Sequence, residues 1–131
     1  MENRALIETY LAARNARDRT RLAEVLSEDV VYLVPSSLGV DPRHGETAIE
    51  ALAGAGAAKF FDLSTMGRKV RRITEADEVV LVEERLTAKA LNGNDYDNEY
   101  VWVLEVRDGK IVRVVEHVDT LYAARTLGIP T

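Results

Sequence analysis

The chain of 131 residues has no cysteine, which excludes a disulfide framework, a thiolate nucleophile and any cysteine-ligated metal. Its two histidines, His44 and His117, are too few for a histidine-rich metal site, so neither metal nor cofactor is expected. Charge of one sign is nowhere grouped. The 22 acidic and 17 basic residues are interspersed, and the net charge of −5 offers neither the basic footprint of a nucleic-acid binder nor a polybasic membrane patch. No apolar run approaches the roughly 20 residues of a membrane span, and the charged start Met-Glu-Asn-Arg-Ala-Leu-Ile-Glu directs no export. A cytoplasmic protein with a small neutral or apolar partner is the expectation. Internal repeats and low-complexity segments are also lacking.

What is present is enough apolar material, 47% of residues, for one sizeable core in one domain spanning residues 1–131. Leu6, Ile7, Tyr10 and Leu11 recur at helical spacing, and Arg14 closes their face with a charge. Asp18 is placed to cap a second helix with Leu22, Val25 and Leu26 inside. A strand over 30–34 ends at Pro35, and the segment to Gly45 reads as a loop. A third helix starts near Glu46 and runs toward Phe60, weakened at Gly54 and Gly56. The period then changes from helical to alternating. Strands are predicted over 68–74, 78–91, 96–107 and 110–120, joined by turns at Glu75-Ala76-Asp77, Asn92-Gly93-Asn94 and Asp108-Gly109. Three helices followed by an antiparallel meander specify an α+β fold, a curved sheet wrapped over helices with room for a cavity.

The last strand carries the chemistry in this reading. Strict alternation puts Ile111, Arg113, Val115, His117 and Asp119 on one side, and Val112, Val114, Glu116 and Val118 on the other. With the first set inward, an imidazole and a carboxylate about 7 Å apart touch one substrate and can move protons. Asp119 has a plainer alternative, since it ends its strand and can pair with a cation or cap a turn. Tyr100, Trp102 and Leu104, with Asn98, supply apolar walls and polar atoms for orienting a ligand, or ordinary core. His44 receives no chemistry, and the segment 68–72 reads as a solvated face or a subunit contact.

On these residues the chain resembles the NTF2-like superfamily of cone-shaped α+β domains, and within it the SnoaL-like polyketide-cyclase, ketosteroid-isomerase-like and limonene-epoxide-hydrolase-like families. The resemblance rests on the first helix with Tyr10, the run Leu26-Ser27-Glu28-Asp29-Val30-Val31-Tyr32, the helix entry His44-Gly45-Glu46-Thr47-Ala48-Ile49 and the stretch from Gly109 to Thr120. It implies three N-terminal helices packed on a curved, mostly antiparallel sheet. The isomerase pattern breaks where Val34 stands in place of the general base, and the second acid position falls near Val101 or Trp102; Tyr10 holds the place of the oxyanion-binding tyrosine. The epoxide-hydrolase pattern keeps Tyr32, Arg85 and Asp119 but has Val34 and Thr87 where it needs an Asn and a second Asp. The cyclase pattern asks only for Asp119 as acid/base.

The resemblance also turns the strand face with Leu81, Glu83, Arg85 and Thr87 inward. It therefore implies Asp119, His117 and Arg85 as catalytic and Tyr10, Tyr32, Thr87, Asn98, Tyr100 and Trp102 as substrate-binding residues. The function implied is cofactor-independent acid/base isomerisation, cyclisation or hydrolysis of a small hydrophobic cyclic or polyketide-like molecule. A non-catalytic small-molecule-binding or dimerisation module is the alternative. A homodimer through the sheet is expected, its interface built on Val101, Val103, Val112, Val114 and Val118.

Overall fold

Helix α1 (Asn3–Asn15) buries the apolar stripe Leu6, Ile7, Tyr10 and Leu11, and it buries Arg14 with them. The computed structural model describes residues 2–130. Asp18 caps α2 (Arg19–Val25) by accepting a hydrogen bond from the Arg21 amide at 3.0 Å, as its position in the sequence predicts. Strand β1 (Leu26–Leu33) begins directly after α2 and is longer than the sequence reading gave it. The loop beyond Pro35 contains a 3₁₀ turn and a two-residue strand, β2 (Arg43–His44), which pairs with β1.

Helix α3 (Glu46–Glu50) passes into a π-helical turn over Ala51–Ala55 that breaks at Gly54, where φ is 124°. Only glycine adopts that conformation cheaply, and a β-carbon there would lie 2.9 Å from Arg17 Cδ. The weakness read from the two glycines is thus a true bend, and it carries the chain over the sheet's concave side.

Four long strands follow: β3 (Phe61–Ala76), β4 (Val79–Ala90), β5 (Asp95–Arg107) and β6 (Lys110–Val118). The sheet order is β2-β1-β6-β5-β4-β3, antiparallel except where β1 runs parallel to β6. A fourth helix, α4 (Thr120–Leu127), closes the chain and was not expected from the sequence. The α+β class holds with this addition. Among the described residues no helix is long and apolar enough to cross a membrane.

Two features of register reverse expected faces. In the β4–β5 hairpin, Glu84 lies opposite Tyr100 and Arg85 opposite Glu99. Directly opposed residues share a face, so with Tyr100 and Trp102 inward the inner row of β4 is Val80, Val82, Glu84, Leu86 and Ala88, and Arg85 and Thr87 face out. In the β5–β6 pair, Glu105 is opposite Arg113 while Val106 is opposite Ile111, which leaves Val112 as a bulge. One extra residue shifts the alternation by one. Ile111 and Val114 are both fully buried, Glu116 and Val118 turn inward after them, and His117 points outward opposite Val101. The same shift removes Val114 and Val118 from the expected dimer surface and leaves Leu81, Val103 and Val115 side by side on the convex face, beside Val101.

Candidate functional site

The concave side of the sheet, the bent segment after α3 and α4 enclose a cavity of about 310 Å³. Val34, Leu38, Leu52, Phe60, Phe61, Met66 and Leu86 supply its apolar walls, with Tyr32, Tyr96, Tyr100 and Trp102 adding aromatic faces. Tyr100 and Trp102 stack with their ring centres 5.8 Å apart and planes 12° apart, and Tyr32 lies 6.3 Å from Trp102. The Tyr100 hydroxyl is 2.7 Å from that of Tyr96, which accepts a hydrogen bond from Asn98 Nδ2 at 3.0 Å. Large flat side chains held by mutual stacking and hydroxyl contacts make a pre-formed wall.

Among the described residues one carboxylate faces this cavity, that of Glu116, brought in by the bulge at Val112. Its Oε1 accepts a hydrogen bond from the Tyr32 hydroxyl at 3.0 Å. Burial among apolar walls pushes its pKa up to about 7, against the opposing pull of the Tyr32 hydrogen bond and of the Arg68 and Arg43 charges. Burial likewise holds the phenols of Tyr32 and Tyr100 well above their ordinary range, so both are neutral hydrogen-bond donors at physiological pH.

A second carboxylate, Glu84, lies wholly buried in an ion network beside the cavity. Its Oε2 is 2.6 Å from Arg14 Nη2, and its Oε1 accepts from Arg68 Nη1 at 2.9 Å and from Trp102 Nε1 at 2.8 Å. Burial alone would raise its pKa, but the guanidiniums of Arg14 and Arg68 outweigh that and hold it below the usual carboxylate value. Glu84 is therefore fixed as an anion, and its near neighbour Glu116 is left to exchange protons. Arg14, Arg17, Arg43 and Arg68 all line the cavity. Arg43 sits 5.9 Å over the Tyr32 ring.

The residues expected from the sequence divide into three groups. Tyr32, Tyr100 and Trp102 line the cavity. Tyr10 and Asn98 are buried behind its wall: the Tyr10 hydroxyl has no hydrogen-bond partner, and Asn98 ties Tyr96 to the Asp119 carbonyl. Asp119, His117, Arg85 and Thr87 lie outside it. Asp119 is exposed and caps α4, its Oδ1 accepting from the Tyr122 amide at 3.0 Å, the plainer of its two readings. His117 is exposed on the convex face because of the bulge. Arg85 forms an exposed ion pair with Asp97, Nε to Oδ1 at 2.7 Å, instead of reaching Asp119 or Glu83.

Sequence reasoning missed Glu116, Glu84, Arg14, Arg43 and Arg68 as site residues. For two of them a signal was present: Glu84 interrupts the apolar row Val80, Val82, Leu86, Ala88, and Arg14 continues the buried stripe of α1. Arg68, read as part of a solvated or subunit face, turns inward from β3. Among the described residues no three His, Asp or Glu side chains gather as a metal-binding group.

The SnoaL-like domain family matches residues 7–114 of the chain. Among solved structures, an NTF2-like protein from Burkholderia pseudomallei K96243 superposes with a TM-score of 0.83 at 20% identity, covering 97% of this chain and 98% of that one. TerC, crystallised with polyporic acid, gives 0.83 at 21% identity over 96% and 98% of the two chains. A candidate SnoaL-like polyketide cyclase from Jannaschia sp. CCS1 gives 0.75 at 19% identity over 96% and 93%. No curated protein sequence matches the chain. The curved sheet, the enclosing helices and the extent of the family match agree: the chain belongs to the SnoaL-like family and has the NTF2-like fold.

Proposed function

We propose that the protein is a cofactor-independent acid/base enzyme acting on a small hydrophobic cyclic or polyketide-like carbonyl compound, with Glu116 as its proton-transfer group. The observation that carries this is that Glu116, the one carboxyl group facing the cavity among the described residues, has its oxygen Oε1 held by Tyr32 and its pKa raised by burial to about 7, where an acid and its conjugate base are both populated. Tyr32 engages Oε1 and leaves Oε2 to the substrate. Glu116 removes a proton from carbon next to the carbonyl, and the electron pair moves onto the carbonyl oxygen, where Arg68 stabilises the enolate. Returning the proton to another carbon isomerises the substrate. Attack of the enolate carbon on a second carbonyl closes a ring, and Glu116 protonates the new alkoxide. The cavity volume lies at the small end of ligand pockets, in keeping with a small substrate. A second copy of the chain, docked through the convex valine face, is the proposed protein partner.

Solvent exchange tests this without knowledge of the natural product. In D₂O the protein is expected to accelerate α-proton exchange of cyclic ketones such as 2-tetralone, followed by proton NMR. Glu116→Gln should lower that rate by about 10²-fold or more. Exchange no faster than in matched buffer, or an unchanged rate in the variant, would overturn the proposal. The competing reading, a non-catalytic binder, draws on there being one carboxylate in the cavity with one oxygen already engaged; it requires quenching of Trp102 by a ligand recovered unchanged.

A further inference from the structure

The charge of the cavity is opposite to that of the chain. Four arginines and one glutamate line it, although the whole molecule carries a net −5. Glu84, behind the wall, balances one of its two partners, Arg14 and Arg68, and leaves one buried positive charge over. That surplus is tightly enclosed: the Arg14 side chain is 2% exposed, and its Nη1 is buried with no hydrogen-bond partner. Arg68 uses Nη1 on Glu84, its one hydrogen bond among the described side chains. Arg43 makes no side-chain hydrogen bond or ion pair among the described residues, and its guanidinium lies over the ring of Tyr32, whose hydroxyl bonds Glu116, close enough for its charge to act on that carboxyl group. A guanidinium offers five N–H donors in a planar fork suited to a carboxylate or an enolate. Two such forks with donors to spare, in a wall otherwise built of Phe, Leu, Met and aromatic rings, form a site for an anion carried on an apolar body.

We propose that the ligand of this cavity is a hydrophobic organic anion, a carboxylate or an acidic enol, whose charged group is held by Arg43 and Arg68 beside Glu116. The inference rests on the site described above and names the chemical class of its substrate. It also gives Arg68 a role that its single hydrogen bond to Glu84 does not exhaust, and Arg43 a partner. Glu116 stands next to the bound anion, with Oε1 held by Tyr32 and Oε2 left free to exchange a proton with the ligand. The groups facing Glu116 are Tyr32 from β1, Arg43 from β2, Arg68 from β3, Glu84 from β4, and Tyr96 and Tyr100 from β5. Of these, Glu84 stays ionised, and Tyr32 and Tyr100 stay neutral.

The test compares 2-naphthoate with 2-naphthamide, the same aromatic body with and without the charge, by quenching of Trp102, the sole tryptophan and a cavity wall residue. The expected result is binding of naphthoate at least tenfold tighter than the amide. Arg43→Gln is expected to abolish that preference; it is the informative variant because Arg43 supports no ion pair in the fold among the described residues. Arg43→Lys should restore part of the preference. Equal binding of the two probes, no binding of naphthoate at millimolar concentration, or an undiminished preference in Arg43→Gln would overturn the inference. Glu116→Gln separates it from the proton-transfer reading: that variant loses ketone exchange but keeps the preference for naphthoate. Loss of exchange activity alone therefore leaves anion binding standing, and loss of the anion preference alone leaves the acid/base role standing.

Discussion

Replacing Glu84 by Gln removes one charge from the middle of the fold and leaves two without a partner. The isosteric amide keeps an oxygen for Trp102 Nε1, but it turns an NH₂ group toward one of the two guanidiniums that now hold the carboxylate at 2.6 and 2.9 Å. Breaking a buried ion pair by removing one member costs about 3–5 kcal/mol, since the remaining charge stays desolvated. Here the remaining charges are two and close together, so the upper half of that range applies. Against a total stability of about 5–15 kcal/mol for a single domain, the variant should unfold on the order of 10–20 °C earlier. Urea unfolding followed by circular dichroism measures the loss without relying on Trp102, which touches the altered side chain. The triple variant Arg14→Met, Arg68→Met, Glu84→Leu provides the counter-test, because removing the whole network also removes the desolvation cost, and it should recover most of the lost stability. A Glu84→Gln protein within about 1 kcal/mol of wild type would refute the view that this network is desolvated and tightly paired. The pH dependence has a definite sign. Glu84's pKa is depressed on folding, so its contribution is present above the unfolded carboxyl's value of about 4.3 and is lost as acid titrates the folded protein below that.

Glu116 behaves in the opposite sense: its pKa rises on folding from 4.5 to about 7, so the stability attached to its protonated form is complete below pH 4.5 and lost as pH rises through 7. Glu116→Gln should therefore stabilise the protein at pH 8 by up to about 3 kcal/mol relative to wild type and by little at pH 4.5, read as a difference in urea midpoints. Asp119→Ala should cost about 1 kcal/mol through loss of the α4 cap, while Asp119→Asn, which caps equally well, should leave stability and any ketone exchange near wild type. Val103→Lys places a charge in the middle of the convex strip formed with Leu81 and Val115 and should convert the proposed dimer to a monomer by light scattering; an unchanged mass would remove that face as the interface.

The α+β order, the antiparallel meander, the first-helix stripe and the inner face of β5 were legible because each follows from local periodicity. The inner face of β4 was not, yet it follows from β5 once the turn at Asn92-Gly93-Asn94 is closed: opposed positions sum to a constant along the hairpin, so Arg85 and Tyr100 cannot both point in. The inner face of β6 has no such local rule. The bulge falls on Val112, a valine among valines, with no glycine or proline to mark it, and everything beyond it changes sides. Helix α4 was hidden because the last strand was carried through Asp119 to Thr120, over the residue that caps the helix and the one that begins it.

These differences share one cause that bears on the proposed site. The proposed chemistry depends on two glutamates on separate strands having different protonation behaviour, and neither position has meaning alone. Glu84 on β4 receives a guanidinium from α1 and another from β3, and these hold it ionised against its burial. Glu116 on β6 receives only a phenol at hydrogen-bond distance and more remote positive charge, so burial prevails and its proton is retained to about neutral pH. Each assignment is a property of the assembled sheet, set by which residues of α1, β1 and β3 arrive beside it. Two carboxylates so differently supplied with partners are one permanent anion and one exchangeable acid. The bulge at Val112 determines which residue takes the second role: without it, β6 would present His117 to the cavity and carry Glu116 to solvent.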